Sequence, residues 1–253
     1  CAFLGWPPGL HEPLARWTRK NHEAALAQDR QALSELAREF EGYVDDLLEA
    51  RRRAGAKPED DVTAALMHEQ VRGRPLSAKE IASILRNWTV GEIGTISAAV
   101  GILSQYLASH MDLQEQLRAR PSLLPAAVDE ILRIHGPLVT NRRVATRAVE
   151  IGGRKLSAGD RISLMWLSAN RDGRVFRDAD AFSLDRDPAQ NLLYGAGIHV
   201  CPGAPLARME LKVVMEELLG RTARIEPALG KSPVIAVFPE SGFASLPLSI
   251  RSR

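Results

Sequence analysis

The sequence predicts a mainly α-helical protein carrying small β-sheets, an α+β class. Three observations carry that prediction. Apolar residues recur at helical spacing through most of the first half. Short β-type runs parted by glycines replace them after about residue 136. A chain of 253 residues that is 45% hydrophobic and 25% charged can bury a substantial core in water.

From about Asp29 to Arg53 the apolar stripe is Leu33, Leu36, Phe40, Val44, Leu47 and Leu48, opposite a charged face. Arg51, Arg52 and Arg53 close this helix, where cations complement its dipole, and Gly55 to Pro58 break it. A short helix is predicted from about Asp61 to Gln70, then a turn at Gly73-Arg74-Pro75. Ser77 and Glu80 form a capping-box pair that opens a long helix from about Ala78 to His110. It is apolar around most of its girth, so it is expected to run through the core. Gly91 and Gly94 weaken its middle. A further helix runs from about Leu123 to Ile134 and stops before Pro137. Val149-Glu150-Ile151, Lys155-Leu156 and Arg161 to Leu164 read as short strands joined by glycine turns. Asn170 to Leu193 reads as a loop of the length that usually carries function. The last helix opens near Ala204-Pro205 and ends at Gly220. The tail, with Gly242 and Pro247, reads as a final hairpin. Residues 1–135 are thus a helical region, and 136–253 hold strands, the long loop, the last helix and the tail.

A formal net charge of +2 with scattered basic residues gives no footing for nucleic acid. No apolar run reaches membrane-spanning length. The start, Cys1-Ala2-Phe3-Leu4-Gly5-Trp6, lacks the basic-then-apolar order of a signal peptide. The two cysteines, Cys1 and Cys201, form no CxxC, so neither a structural zinc site nor a disulfide framework is expected. Lone cysteines fit a reducing, cytoplasmic compartment.

The most informative stretch runs from Tyr194 through Gly195, Gly197, His199 and Cys201 to Gly203. Two glycines let backbone approach something flat or bulky. A cysteine follows, and a helix starts at once. Backbone N–H groups and the positive end of that helix favour a sulfur anion. A rigidly held thiolate without partner cysteines suits a single-ligand metal cofactor, and haem iron takes such a ligand. A structural cysteine beside a glycine turn is a second reading of the same residues. A dinucleotide loop is a third, though Val200 stands where its third glycine would fall.

This loop resembles the haem-binding pattern of the cytochrome P450 family, F-x-x-G-x-H-x-C-x-G continuing into A-x-x-L-A-R-x-E. Here the residues are Tyr194, Gly197, His199, Cys201 and Gly203, then Ala204-Pro205-Leu206-Ala207-Arg208-Met209-Glu210. Tyr194 replaces the phenylalanine, and its hydroxyl needs a partner. Glu130-Ile131-Leu132-Arg133 puts a carboxylate and a guanidinium on one helical face, by itself a common surface ion pair. In the family, E-x-x-R at this place holds the fold through a third arginine in the long loop. Ala169-Asn170-Arg171-Asp172 and Phe182-Ser183-Leu184-Asp185-Arg186 are similar to that loop. Ala181 stands where arginine is frequent, so Arg186 is the expected third member. Arg143-Val144-Ala145-Thr146 with Glu150-Ile151-Gly152-Gly153 resembles the segment whose arginine meets a haem propionate. The likeness runs without gaps from about His110 through Arg133 and is recognisable to Leu246-Pro247.

The resemblance implies the P450 fold with haem b ligated by Cys201, cradled by Tyr194, Gly195 and Gly203, and met at its propionates by His199 and Arg143. It implies a monooxygenase that inserts one oxygen atom of O2 into a small organic substrate. Electrons would come from a ferredoxin or flavin-type reductase, with neither membrane nor nucleic acid as partner. Two departures matter. The family's [AG]-G-x-[DE]-T aligns with Gly91-Glu92-Ile93-Gly94-Thr95, so Thr95 keeps the alcohol while Gly94 replaces the acid. Glu92 and Thr95, three apart, share a face of an α-helix. Thr95 is expected to hydrogen-bond at the oxygen site, with Glu92 or water delivering protons. A structural Glu92 with altered proton delivery is the alternative. The family's earlier helices have no counterpart before Phe3-Leu4-Gly5-Trp6-Pro7, so an N-terminally incomplete fold is expected, as a fragment or a reduced variant. A peroxide-driven peroxygenase, a non-catalytic haem or small-molecule binder, and a haem-free helical interaction module remain as further readings.

Overall fold

The computed structural model describes residues 2–238 and 240–253. Cys1, one of the two cysteines expected to be lone thiols, lies outside the described residues. The chain divides into two compact units, Cys1–Gly94 and Thr95–Arg253.

The first unit holds α1 (His11–Leu26), α2 (Arg30–Ala54), α3 (Val62–His68), the small pair β1 (Gln70–Val71) and β2 (Arg74–Pro75), and α4 (Ala78–Val90). Asp29 caps α2 by accepting from the Ala32 N–H, and Gly55 ends it with φ 61°, a left-handed conformation open to glycine. The predicted stripe is the buried face of α2, with Leu36, Phe40, Val44, Leu47 and Leu48 inside and Leu33 half-buried. The capping box of Ser77 and Glu80 opens α4. Helix α1 was not expected, because few apolar residues interrupt its charged run. Two of them suffice: Leu14 and Trp17 are buried against α2, and the Trp17 indole N–H donates to the Leu36 carbonyl at 2.8 Å. Burial of side chains this size contributes about 1.5–3 kcal/mol each.

The expected single helix from Ala78 to His110 is instead three segments. Helix α4 passes into a π-helical stretch, Gly91–Ile96, and then into α5 (Ser97–Ala108). The two glycines fall in that stretch, and π-turns interrupt helices where α-geometry is weakly held.

The second unit continues with α6 (Met111–Ala119) and α7 (Leu124–His135). Then come β3 (Thr140–Val144), β4 (Val149–Ile151), β5 (Arg154–Leu156), β6 (Arg161–Met165) and the short α8 (Trp166–Ala169). After the long loop follow α9 (Ala204–Arg221), β7 (Thr222–Pro227), β8 (Val234–Ile235), β9 (Phe243–Ser245) and β10 (Leu248–Ser252). Its core joins Ile102, Leu103 and Leu107 of α5 to Leu117, Val128, Ile131, Leu211, Met215 and Ile225. Among the described residues the strand pairs of this unit are antiparallel: β3 with β6, β4 with β5, β8 with β9, and β7 with β10.

The tail corrects the expectation of one final hairpin. Strands β8 and β9 pair locally, but β10 returns to β7, with Ile250 opposite Ile225. Gly242, at φ 96°, makes the bend, and a Cβ there would come within 3.1 Å of the Ile102 side chain. Among the described residues no helix is long and apolar enough to cross a membrane.

Candidate functional site

The site is built outward from α7. Its side chains Glu130 and Arg133 are 4% and 1% exposed, so this pair is a buried one rather than a surface one. Arg133 donates to both carboxylate oxygens of Glu130, at 2.7 and 2.9 Å. Its remaining donors meet the carbonyls of Asn170, Ala179 and Ala181. The Phe176 ring lies 5.0 Å from its guanidinium carbon. Arg186 reaches Glu130 Oε1 at 2.7 Å from the long loop, and the Ser183 N–H donates to the same oxygen. Burial pushes the Glu130 carboxyl up, but the hydrogen bonds from Arg133 and Arg186 outweigh it, and the net displacement is downward. The loop from 170 to 193 is therefore fastened by charge-assisted bonds into its own carbonyls.

Asn170 and Asn191 carry this order to the cysteine turn. Asn170, 1% exposed, accepts from the Leu192 N–H and donates to Asn191 Oδ1. Asn191 also accepts from the Leu193 N–H and donates to the Asp129 carbonyl. The turn itself closes when the Cys201 N–H donates to the Tyr194 carbonyl at 2.8 Å. Gly195 and Gly197 have φ of 74° and 65°, which side chains rarely adopt. The Cys201 thiol is free and exposed, three residues ahead of α9, with His199 exposed beside it. Ile198 and Val200 are 96% and 52% exposed.

Tyr194 is the half-buried residue that roots this turn. Its ring lies under the Arg208 guanidinium, with 4.5 Å between the guanidinium carbon and the ring centroid. Arg208 in turn pairs with Asp129 at 3.1 Å. The Tyr194 hydroxyl is buried without a hydrogen-bond partner among the described residues. Burial, then the nearby Asp129 charge, push its pKa up to about 12. An unsatisfied buried hydroxyl costs about 1–3 kcal/mol. Tyr194→Phe is therefore expected to raise the unfolding free energy of the cofactor-free chain by about 1 kcal/mol, read from urea midpoints at unchanged slope.

The other expected site residues sit elsewhere in the chain. Arg143 is half-buried on β3, opposite Ile162, and donates to the Arg142 carbonyl. Among the described residues it forms no ion pair. Thr95 is exposed at the start of the second unit. Glu92 lies in the π-helical stretch at the end of the first. That stretch bonds i to i+5, so the three-residue neighbour rule of an α-helix does not carry over to this pair. Asp129, Asn170, Asn191 and Arg208 were not singled out from sequence. Asn170 and Arg208 lay inside the quoted motifs, which was their one available signal.

The family model described as Cytochrome P450 matches residues 6–227. Linalool 8-monooxygenase of Pseudomonas putida is 33% identical over 227 residues, 88% of this chain and 55% of that protein. Cyclomarin C epoxidase of Salinispora arenicola is 32% identical over 226 residues, 88% of this chain and 57% of that protein. The structure of the Bacillus subtilis bacillaene polyketide synthase cytochrome P450 PksS superposes with a TM-score of 0.88 at 30% identity, covering 98% of this chain and 64% of that one. The chain thus spans little more than half the length of these curated relatives. With the family model matched over most of its residues, the chain belongs to the cytochrome P450 family.

Proposed function

We propose that this chain is the haem-carrying part of a haem-thiolate monooxygenase, which inserts one oxygen atom of O2 into a small organic substrate. The observation that supports it is the free, exposed Cys201 thiol in a turn of two left-handed glycines at the mouth of α9. The donor chemistry fits a haem. Among the described residues no group of three or more His, Cys, Asp or Glu could hold a metal ion. A single sulfur serves only an ion that brings its other ligands, as iron in a porphyrin does. Exposed Ile198 and Val200 give the turn apolar side chains of the kind a flat macrocycle covers.

Bound haem b, with its thiolate ligand, supplies the activation of oxygen. Cys201 would provide the ligand, and Gly195 and Gly203, without side chains, would leave room for the ring. His199 and Arg143 would offer donors to the propionates, and for Arg143 no carboxylate of the described residues competes. Thr95 would offer a hydroxyl to bound oxygen, and Glu92 or water would deliver the proton. Glu130, Arg133 and Arg186 hold the loop from which the turn departs. Residues 1–253 are read as the C-terminal portion of one P450 domain. The electron donor is proposed to be a ferredoxin or flavin-type reductase, and the compartment to be the cytoplasm, where a lone thiol stays reduced. Two relatives are named as a linalool 8-monooxygenase and a cyclomarin C epoxidase, which supports oxygen insertion into an organic substrate.

The test is the carbon monoxide difference spectrum of the reduced, haem-reconstituted chain. A thiolate-type band is expected, and Cys201→Ser is expected to abolish it. A chain without a Soret band, or an unchanged band in Cys201→Ser, overturns the reading.

A further inference from the structure

We infer that Arg208 is a positioning residue for Cys201, fastening the cysteine turn to α7 through its stack on Tyr194 and its ion pair with Asp129. The inference rests on the haem-thiolate reading of Cys201.

A turn with two left-handed glycines has much backbone freedom to lose, so its order needs fastening from outside. Internal fastening is sparse. Gly195, Val200 and Cys201 donate to Leu192, Gly197 and Tyr194 carbonyls, and residues 196–202 are exposed. The half-buried Tyr194 ring is the anchor, and its carbonyl is the acceptor for the Cys201 N–H. What lies on that ring is the guanidinium of Arg208, at 4.5 Å. What fixes the guanidinium is Asp129, whose two oxygens lie 3.1 and 3.3 Å from Arg208 Nε. The Asp129 carbonyl also holds Asn191, three residues before Tyr194. One position on α7 therefore grips the incoming loop through its backbone and the turn through its side chain.

Three features assign the work to the guanidinium plane. Among the described residues the Tyr194 hydroxyl makes no hydrogen bond, so the ring face is what the contact uses. A guanidinium can stack and pair at once, whereas an ammonium pairs as a point charge. Burial pushes the Asp129 carboxyl up and Arg208 draws it back, so removing Arg208 leaves a largely enclosed carboxyl uncompensated.

The experiment is hydrogen exchange, read by mass spectrometry on the haem-free 253-residue chain. In Arg208→Ala, the hydrogen-bonded amides of Gly195, Val200 and Cys201, read within residues 194–203, are expected to exchange about tenfold faster, while the β7–β10 ladder keeps its rate. Arg208→Lys is expected to fall between, since it keeps the ion pair and loses the plane. Tyr194→Phe, which keeps the ring, is expected to protect the turn at least as well as the original. Should Arg208→Ala not fold, Asp129→Asn with Arg208→Lys makes the same comparison. Unchanged exchange at 194–203, or acceleration by one factor throughout the chain, overturns the inference. In the haem-loaded chain, Arg208→Ala is expected to lose part of the thiolate-type carbon monoxide band, with Arg208→Lys restoring some of it. If the unsubstituted chain shows no such band while 194–203 responds, the haem reading fails and the fastening of the turn stands. If the band is present and 194–203 does not respond, the positioning role alone fails.

Discussion

Glu130→Ala is expected to destabilise the unit Thr95–Arg253 by about 3–5 kcal/mol, a large share of what a domain has to lose. The reason is what the substitution leaves behind. Arg133 is 1% exposed and would keep its charge with three backbone carbonyls but no carboxylate. Arg186 would lose its Nε acceptor and keep the carbonyls of Arg177, Asp178 and Ala181. Glu130→Gln separates charge from shape. Its amide nitrogen would confront a guanidinium donor, so it is expected to fall between the alanine variant and the original. Arg186→Ala removes the partner that is more exposed, 15% against 1% for Arg133, and is expected to cost less than either change at Glu130. Urea unfolding at unchanged slope checks the order, and equal stability for all variants would sink it.

The same carboxylate makes a pH prediction. Its pKa lies below the ordinary glutamate value of 4.5 in the folded chain. The unfolded chain therefore binds more protons just below that value. The contribution of Glu130 is complete above pH 4.5 and is lost as pH falls through the folded value. Glu130→Gln is expected to flatten this part of the acid unfolding profile.

What could be read from sequence follows from how local each signal is. Helix α2 was legible because six apolar residues repeat along one face, and α4 because its capping box lies within four positions. The Glu130–Arg133 pair was legible at i,i+3, and Arg186 was reachable through the Phe182 to Arg186 run. Its burial was not, because exclusion of water there depends on carbonyls 37 to 48 residues away. Helices α1 and α6 escaped for a related reason. Each is short of apolar residues and is held by a few deeply buried ones, such as Trp17 in α1 and Leu117 in α6. Helical periodicity counts apolar residues and does not weigh how well each one packs. The return of β10 to β7 crosses intervening strands, and no turn residue announces such pairing. The stack of Arg208 on Tyr194 joins positions 14 apart through a bend whose direction only the folded turn defines.

Gln114→Leu is the second substitution with a large expected effect, about 2–5 kcal/mol of lost stability. Gln114 is fully buried on α6, at 0% exposure. Its amide nitrogen donates to the carbonyls of Leu107 at 2.7 Å and Ile225 at 2.8 Å. Its oxygen accepts from the Ile225 N–H at 3.2 Å and from Arg118 at 3.1 Å. Leucine has similar bulk, so little cavity is created. The cost comes instead from Ile225, whose N–H and carbonyl would lose this partner in a dry core. Leu107 loses less, because the His110 N–H also donates to its carbonyl. Gln114→Glu is expected to help little. It could still accept from Ile225 and Arg118, but it would set a carboxylate oxygen against two carbonyls. Exposed Gln190→Ala, by contrast, is expected to stay within about 0.5 kcal/mol of the original. The measurement is urea unfolding combined with hydrogen exchange at residues 222–227. If Gln114→Leu unfolds like the original and those amides keep their protection, the Ile225 backbone does not depend on this side chain. The strand would then be held by its pairing with β10 and by core packing alone.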